Sequence, residues 1–149
     1  MTNVRALGGP SVRPSTSATC GHRRLDFPPG DPQGCVRRGT DFSRRALADW
    51  RPTAGAMTVD NVALVAAELL TNAANHASGP TTLDLHYGPD TGLLHIAVTD
   101  THPDPPRLRT VRPEEPHGRG MHIIDHIAAA WGHRPNGTGK TVWATLHLP

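Results

Sequence analysis

Apolar residues recur at helical spacing from Thr58 to Pro80, and this stretch is the predicted central helix of the chain. Its apolar side chains return every three or four residues, and neither Gly nor Pro interrupts them before Gly79. Such a repeat predicts an amphipathic helix with one broad buried face. We expect Thr58 to cap its beginning and Gly79 with Pro80 to end it.

Two further helices are predicted from their start and stop signals. Asp31 followed by Pro32 is typical of a cap and a first helical position, and we expect this helix to run to about Trp50. A Gly-Arg-Gly run at 118–120 opens the third predicted helix, which the pair Trp131-Gly132 is expected to close.

Alternating apolar and polar residues predict the strands. A strand over 81–88 and a second one ending at Asp100 are joined by a turn at 89–92, and a turn at 136–139 precedes a last strand over 140–148. The segment 23–27 is expected to be a short edge strand. The order strand, helix, helix, hairpin, helix, hairpin predicts a fold of the α/β class. This fold is a two-layer sandwich with helices on one face of a mixed, mostly antiparallel sheet.

Length and composition indicate a single domain, which we expect to span 23–149 of the 149 residues. Residues 1–22 are rich in Ser, Thr, Pro, Gly and Arg and are expected to form a disordered tail. The net charge of +2 is too small to indicate direct binding to nucleic acid or to a membrane surface. No apolar run reaches membrane-spanning length and no signal-peptide core is present, so we expect a cytoplasmic protein.

The polar side of the central helix carries the first candidate site. Glu68 and Asn72 are four residues apart, so their side chains project from the same face, with Leu64 and Val65 expected among the polar positions. A solvated helix face usually carries more charged residues than this one. A carboxylate beside an amide oxygen suits a hard cation or a polarised hydroxyl, and we therefore favour a functional role for the pair.

Three other features become candidates in combination. Asp100 ends a strand at the mouth of a long proline-rich loop, where its carboxylate can accept a hydrogen bond from a ligand amino group; an ordinary turn aspartate is the alternative. Gly118, Arg119 and Gly120 at a helix start offer backbone N–H groups to an anion. Thr141 is a polar position on the last strand and carries no signal by itself.

Taken in this order, the segments resemble a known family. Glu68-x-x-x-Asn72 is followed by Asp100 after a hydrophobic strand, by GRG at 118–120 and by GKTVW at 139–143. The succession resembles the Bergerat-type ATP-binding fold of gyrase, histidine kinases and a heat-shock chaperone. Within that superfamily, the phrases ELLTNAANHA, GRGMHIIDHIAAAWG and GKTVWATL look most like the stand-alone anti-sigma-factor serine/threonine kinase group, over residues 23–148.

The resemblance implies a role for each candidate residue. Asn72 would hold the Mg²⁺ that bridges the phosphates of ATP, and Glu68 would orient or deprotonate the attacking hydroxyl. Asp100 would accept the adenine amino group with support from Thr141. The residues expected to contact the phosphates, beneath a lid formed by 101–117, are Gly118, Arg119 and Gly120.

The resemblance also implies a function. The leading interpretation is an ATP- and Mg²⁺-binding regulator that phosphorylates Ser or Thr on an anti-sigma-factor antagonist protein, sequesters a sigma factor, or does both. The alternative is a non-catalytic ATP-binding or partner-docking module of the same fold. It is favoured by the run after Asp100, which lacks the glycines of the superfamily motif Asp-x-Gly-x-Gly. The sequence leaves open whether the chain forms a homodimer.

Overall fold

The computed structural model describes residues 3–4, 20–30, 32–75, 79–102 and 120–149. Within these ranges the chain forms six strands and three helices. The strands are β1 (Asn3–Val4), β2 (Gly21–Asp26), β3 (Pro80–Gly88), β4 (Leu93–Asp100), β5 (Ala130–Pro135) and β6 (Lys140–His147). The helices are α1 (Pro32–Trp50), α2 (Ala56–Ala74) and α3 (Gly120–Ile127).

The six strands form one sheet in the order β1-β5-β6-β4-β3-β2. Every strand pair in the described ranges is antiparallel, which corrects the expectation of a mixed sheet. Hairpins join β3 to β4 and β5 to β6, and their turns contain the left-handed glycines Gly92 (φ 71°) and Gly137 (φ 87°). Because β4 also pairs with β6, the two hairpins lie side by side in the sheet.

The helices cover one face of the sheet, as predicted. Side chains alternate along each strand, so one set packs against the helices and the other set faces away from them. None of the described helices combines the length and the apolar character needed to cross a membrane. The core residues at most 1% exposed include Leu47, Val65, Leu69, Leu70, Leu83, Leu85, Ile96, Val98, Ile124 and Val142.

The central helix is shifted towards the N-terminus relative to its prediction. α2 begins at Ala56, and its N-cap residue is Gly55, which has no side chain to cap the helix. The predicted cap Thr58 lies inside the first turn, because the Val59 N–H already donates to the Gly55 carbonyl at 3.1 Å. The helix ends at Ala74, so Gly79 and Pro80 lie beyond its end, and Pro80 begins β3.

The third helix is shorter than predicted. α3 ends at Ile127, and the pair Trp131-Gly132 lies in β5, so the prediction that this pair closes the helix is wrong. In β5 the backbone N–H and C=O groups of this segment find hydrogen-bond partners in β6. This pairing is therefore favoured over continuation of the helix. The Trp131 indole N–H also donates to Asp125 Oδ1 at 2.8 Å, which ties β5 to α3.

Part of the predicted tail belongs to the sheet. Gly21 and His22 begin β2, an edge strand, so the expected boundary after residue 22 is too late. Asn3 and Val4 pair with Trp131 and Ala130 of β5. Residues 5–19 lie outside the described residues.

Candidate functional site

Glu68 and Asn72 are half-buried residues one turn apart on α2. The neighbouring residues Leu69 and Leu70 are completely buried in the core. Val65 was expected on the polar side but is also completely buried, whereas Leu64 is 39% exposed. Glu68 and Asn72 therefore share the side of α2 that the core leaves open, with Leu64 as an apolar neighbour on that side.

The surroundings of Glu68 disfavour its charged form. Partial burial raises the pKa of Glu68 above its ordinary value. Within the part of the chain that the structure describes, no ion pair or hydrogen bond compensates this burial. A carboxylate in such surroundings accepts a proton more readily than an exposed one, which is the property that a general base needs.

The amide group of Asn72 contains an unsatisfied donor. Its Nδ2 atom is buried and has no hydrogen-bond partner among the described residues. A buried donor without a partner costs about 1–3 kcal/mol, so a bound ligand that supplies an acceptor would explain it. A phosphate oxygen can accept from the amide N–H, and the amide oxygen is of the type that Mg²⁺ coordinates. The donor set of Asn72 and Glu68 therefore fits a metal-bound phosphate group.

Asp100 lies at the end of β4 and is 1% exposed. Its Oδ2 accepts a hydrogen bond from Lys140 Nζ at 2.9 Å, and its Oδ1 accepts from Lys140 Nζ at 3.1 Å and from the His102 N–H at 2.8 Å. Lys140 is also completely buried and donates to the His102 carbonyl at 3.1 Å. The predicted adenine-binding carboxylate is thus held by a buried cation, which the sequence analysis did not anticipate.

Thr141 is not brought to Asp100. Asp100 is opposite Lys140 in the β4–β6 ladder and Thr99 is opposite Thr141, so the two pairs project from opposite faces of the sheet. The hydroxyl groups of Thr99 and Thr141 are hydrogen-bonded at 2.9 Å. The prediction that Thr141 supports Asp100 is therefore wrong, and Lys140 has that position. The sequence feature that could have drawn attention to Lys140 is that it is the only lysine of the chain.

The predicted phosphate-binding run is described only at its last residue. Gly120 is the first residue of α3, which packs against α2 in the layer that carries Glu68. Gly118 and Arg119 lie outside the described residues, as does the predicted lid except for Thr101 and His102.

The layered architecture and the acid–amide pair on α2 together indicate the class of ATP-binding domains with a Bergerat-type fold. Comparison with protein-family models identifies the family within this class. The model described as "Histidine kinase-like ATPase domain" matches residues 39–146, and the chain belongs to this family. The matched stretch contains α2, β4 and all but the last residue of β6, and thus both Glu68 and Asp100. A search of curated proteins gave no match.

Proposed function

We propose that the protein binds ATP with Mg²⁺ and transfers the γ-phosphate to a serine or threonine hydroxyl of a partner protein. The observation that carries this proposal is the environment of Glu68. Its half-buried carboxyl group has a raised pKa and no cationic partner among the described residues. Transfer to a hydroxyl requires such a base, because the hydroxyl loses its proton as the new bond to phosphorus forms.

Glu68 and Asn72 divide the chemistry between them. The hydroxyl proton passes to the Glu68 carboxylate while the hydroxyl oxygen forms a bond to the γ-phosphorus. The bond from the γ-phosphorus to the bridging oxygen breaks, and ADP leaves with the bonding electron pair. Asn72 would hold the triphosphate and its Mg²⁺, because its amide N–H can donate to a phosphate oxygen and its amide oxygen is a ligand type that Mg²⁺ accepts. When bound, Mg²⁺ would neutralise charge that develops on the phosphate oxygens.

The proposed substrate is a small anti-sigma-factor antagonist protein, and the proposed second partner is a sigma factor. Support for both comes from the phrases ELLTNAANHA and GRGMHIIDHIAAAWG, which resemble the anti-sigma-factor serine/threonine kinase group. Mass spectrometry of an incubated antagonist tests the first partner by locating a phosphorylated Ser or Thr. Co-elution of the protein with a purified sigma factor in size-exclusion chromatography tests the second.

Transfer of labelled γ-phosphate from ATP to purified antagonist proteins of the same organism tests the catalytic proposal. We expect the wild type to label its substrate and Glu68→Gln to lose about 10²–10⁴-fold in rate while still binding ATP. Asp60→Asn removes an exposed carboxylate from the same helix and is the matched control, expected to keep the wild-type rate. Equal labelling by Glu68→Gln and wild type would rule out Glu68 as the base.

The buried ion pair of Asp100 favours a second candidate function, a module that docks a partner without transferring phosphate. Lys140 already contacts both oxygens of the carboxylate that adenine would approach. Under this alternative, neither wild type nor Glu68→Gln labels any antagonist, with or without bound nucleotide. The labelling experiment therefore separates the two functions directly.

A further inference from the structure

Three side chains of metal-binding types meet on the sheet face that points away from the helices. His22 on the edge strand β2 is directly opposite His86 on β3, and Asp84 precedes His86 by two positions. Residues two apart on a strand project to the same side, and directly opposite residues are the closest neighbours across a ladder. The strand register alone therefore assembles this group, which we call the His22–Asp84–His86 cluster.

The distances in the His22–Asp84–His86 cluster are close to those of a coordination site. His22 Nε2 lies 3.1 Å from Asp84 Oδ1, and the rings of His22 and His86 stack with centroids 4.1 Å apart. One ligand atom from each residue lies within 4.8 Å of the other two. Tetrahedral Zn²⁺ holds its nitrogen and oxygen ligands about 3.3 Å apart. Bringing the three ligand atoms around one ion requires side-chain rotations that shorten these separations and turn the two imidazole rings out of their stack.

The cluster also has lone pairs that are available to bind a metal ion. Among the described residues, neither the ring nitrogens of His86 nor Asp84 Oδ2 have a hydrogen-bond partner, since the bonds from His22 and Arg24 both reach Oδ1. A neutral imidazole whose ring nitrogens have no hydrogen-bond partner is the form of histidine that binds a metal.

We propose that His22, Asp84 and His86 bind a divalent transition-metal ion, with Zn²⁺ as the best fit. Two imidazoles and one carboxylate are ligands that Zn²⁺ accepts, whereas Mg²⁺ and Ca²⁺ prefer oxygen ligands alone. Three protein ligands leave the fourth tetrahedral position for water. The ion would join the edge strand β2 to β3, on the opposite side of the sheet from α2 and the proposed ATP site.

Arg24 limits the affinity of this metal site. Its Nε donates to Asp84 Oδ1 at 2.8 Å, and its side chain is 57% exposed. A cation beside the ion opposes metal binding by Coulomb repulsion, although an exposed side chain can move away from Asp84. Arg24→Gln removes this charge and is expected to tighten metal binding, whereas a purely structural Asp84 would show no such effect.

Isothermal titration of ZnCl₂ into the full chain, purified without a histidine tag, tests the proposal. The wild type is expected to bind one equivalent, and His22→Ala and His86→Ala are each expected to weaken that binding at least about 10-fold. His147→Ala is the matched control, because it removes an exposed histidine outside the cluster. Both cluster histidines have exposed side chains, so the variants are expected to fold, which circular dichroism checks.

Two further readouts identify the ligands. Co²⁺ in place of Zn²⁺ is expected to show the intense visible absorption of a tetrahedral site in wild type and to lose it in His86→Ala. Zn²⁺ is expected to raise the Tm of wild type and His147→Ala but not that of His86→Ala. The proposal is overturned if wild type binds no stoichiometric Zn²⁺, or if His147→Ala weakens binding as much as His86→Ala does.

Discussion

At the scale of one residue, Glu68 shows that the proposed site lowers the stability of the folded protein. Its half-buried carboxyl group has no described partner, and burial raises its pKa. A fold optimised for stability alone would not keep an ionisable group in such surroundings, whereas a base used at neutral pH requires them. The cost of ionising Glu68 in the folded state is therefore part of the proposed function.

Replacing Glu68 should reveal this cost as a pH-dependent gain in stability. A raised folded-state pKa means that the native state binds the proton more tightly than the unfolded state. Stability due to this group is then present at low pH and falls as pH rises through the Glu68 pKa. Glu68→Gln, which has no charge to bury, is expected to unfold at a higher temperature than wild type at pH 7.

Thermal unfolding of both proteins between pH 4 and 7 measures the effect. The difference in Tm between Glu68→Gln and wild type should shrink as the pH is lowered. Asp41→Asn removes an exposed carboxylate from α1 and should show no comparable trend. A difference in Tm that grows towards low pH would contradict the burial of Glu68.

At the scale of elements, the contact between α1 and α2 depends on a glycine. A Cβ atom at Gly39 of α1 would lie 2.3 Å from Leu70 Cδ1 of α2 and 3.3 Å from Leu83 Cδ2 of β3. Glycine weakens an isolated helix by about 1 kcal/mol relative to alanine. The close approach of α1 to α2 explains why the residue is tolerated there.

Gly39→Ala is expected to destabilise the fold in spite of the better helix propensity of alanine. Overpacking of this kind costs about 1–3 kcal/mol, and Leu70→Ala, which empties a completely buried position, about 2–5 kcal/mol. Chemical denaturation of the two single variants and the double variant tests the contact. The double variant should lose less stability than the sum, because the smaller side chain makes room for the added methyl group. Additive losses would show that Gly39 and Leu70 do not meet.

The elements were predictable wherever one face of the segment is buried and the other is not. In β3, Leu83, Leu85 and Tyr87 alternate with less hydrophobic residues, and the helix-start signal at Pro32 marked α1 correctly. β5 has no such alternation, and only its pairing with β6 makes Trp131 and Gly132 extended. The local sequence pattern does not indicate which strand a segment will pair with. The prediction therefore placed the end of α3 too late.

At the scale of the whole molecule, one buried ion pair joins the two hairpins. Asp100 ends β4 and Lys140 begins β6, and both side chains are 1% exposed. Gly139 permits this approach, because a Cβ atom there would lie 2.1 Å from the Asp100 carbonyl oxygen. The pair holds the end of β4, from which the chain continues into the predicted lid.

Lys140→Met is expected to cost about 3–5 kcal/mol of unfolding free energy, because it leaves the Asp100 charge buried without its cation. Denaturant unfolding of the double variant Asp100→Leu with Lys140→Met should recover most of this loss. Arg44→Met is the control, because it removes an exposed ion pair in which Arg44 Nη1 lies 3.8 Å from Asp60 Oδ1. This change should cost at most about 1 kcal/mol. A loss for Lys140→Met no larger than for Arg44→Met would show that Asp100 is not buried with Lys140.

The candidate sites were predictable from sequence only where their residues are neighbours on one element. Glu68 and Asn72 share a helix turn, and their spacing indicated a site. The contact of Asp100 with Lys140 and that of His22 with Asp84 join residues 40 and 62 positions apart. Each depends on strand register, which the sequence pattern did not determine. The Thr141 prediction failed for the same reason, since a shift of one residue changes the face of the sheet.

Calorimetric titration of ATP, with and without Mg²⁺, tests most directly whether the Glu68–Asn72 side of α2 is the nucleotide site. Asn72→Ala should weaken ATP binding about 5- to 150-fold, as expected from about 1–3 kcal/mol, and should reduce its dependence on Mg²⁺. Asn75→Ala, which removes an exposed amide just beyond the end of α2, should bind like wild type. ATP binding by Asn72→Ala with unchanged affinity and unchanged Mg²⁺ dependence would contradict the account.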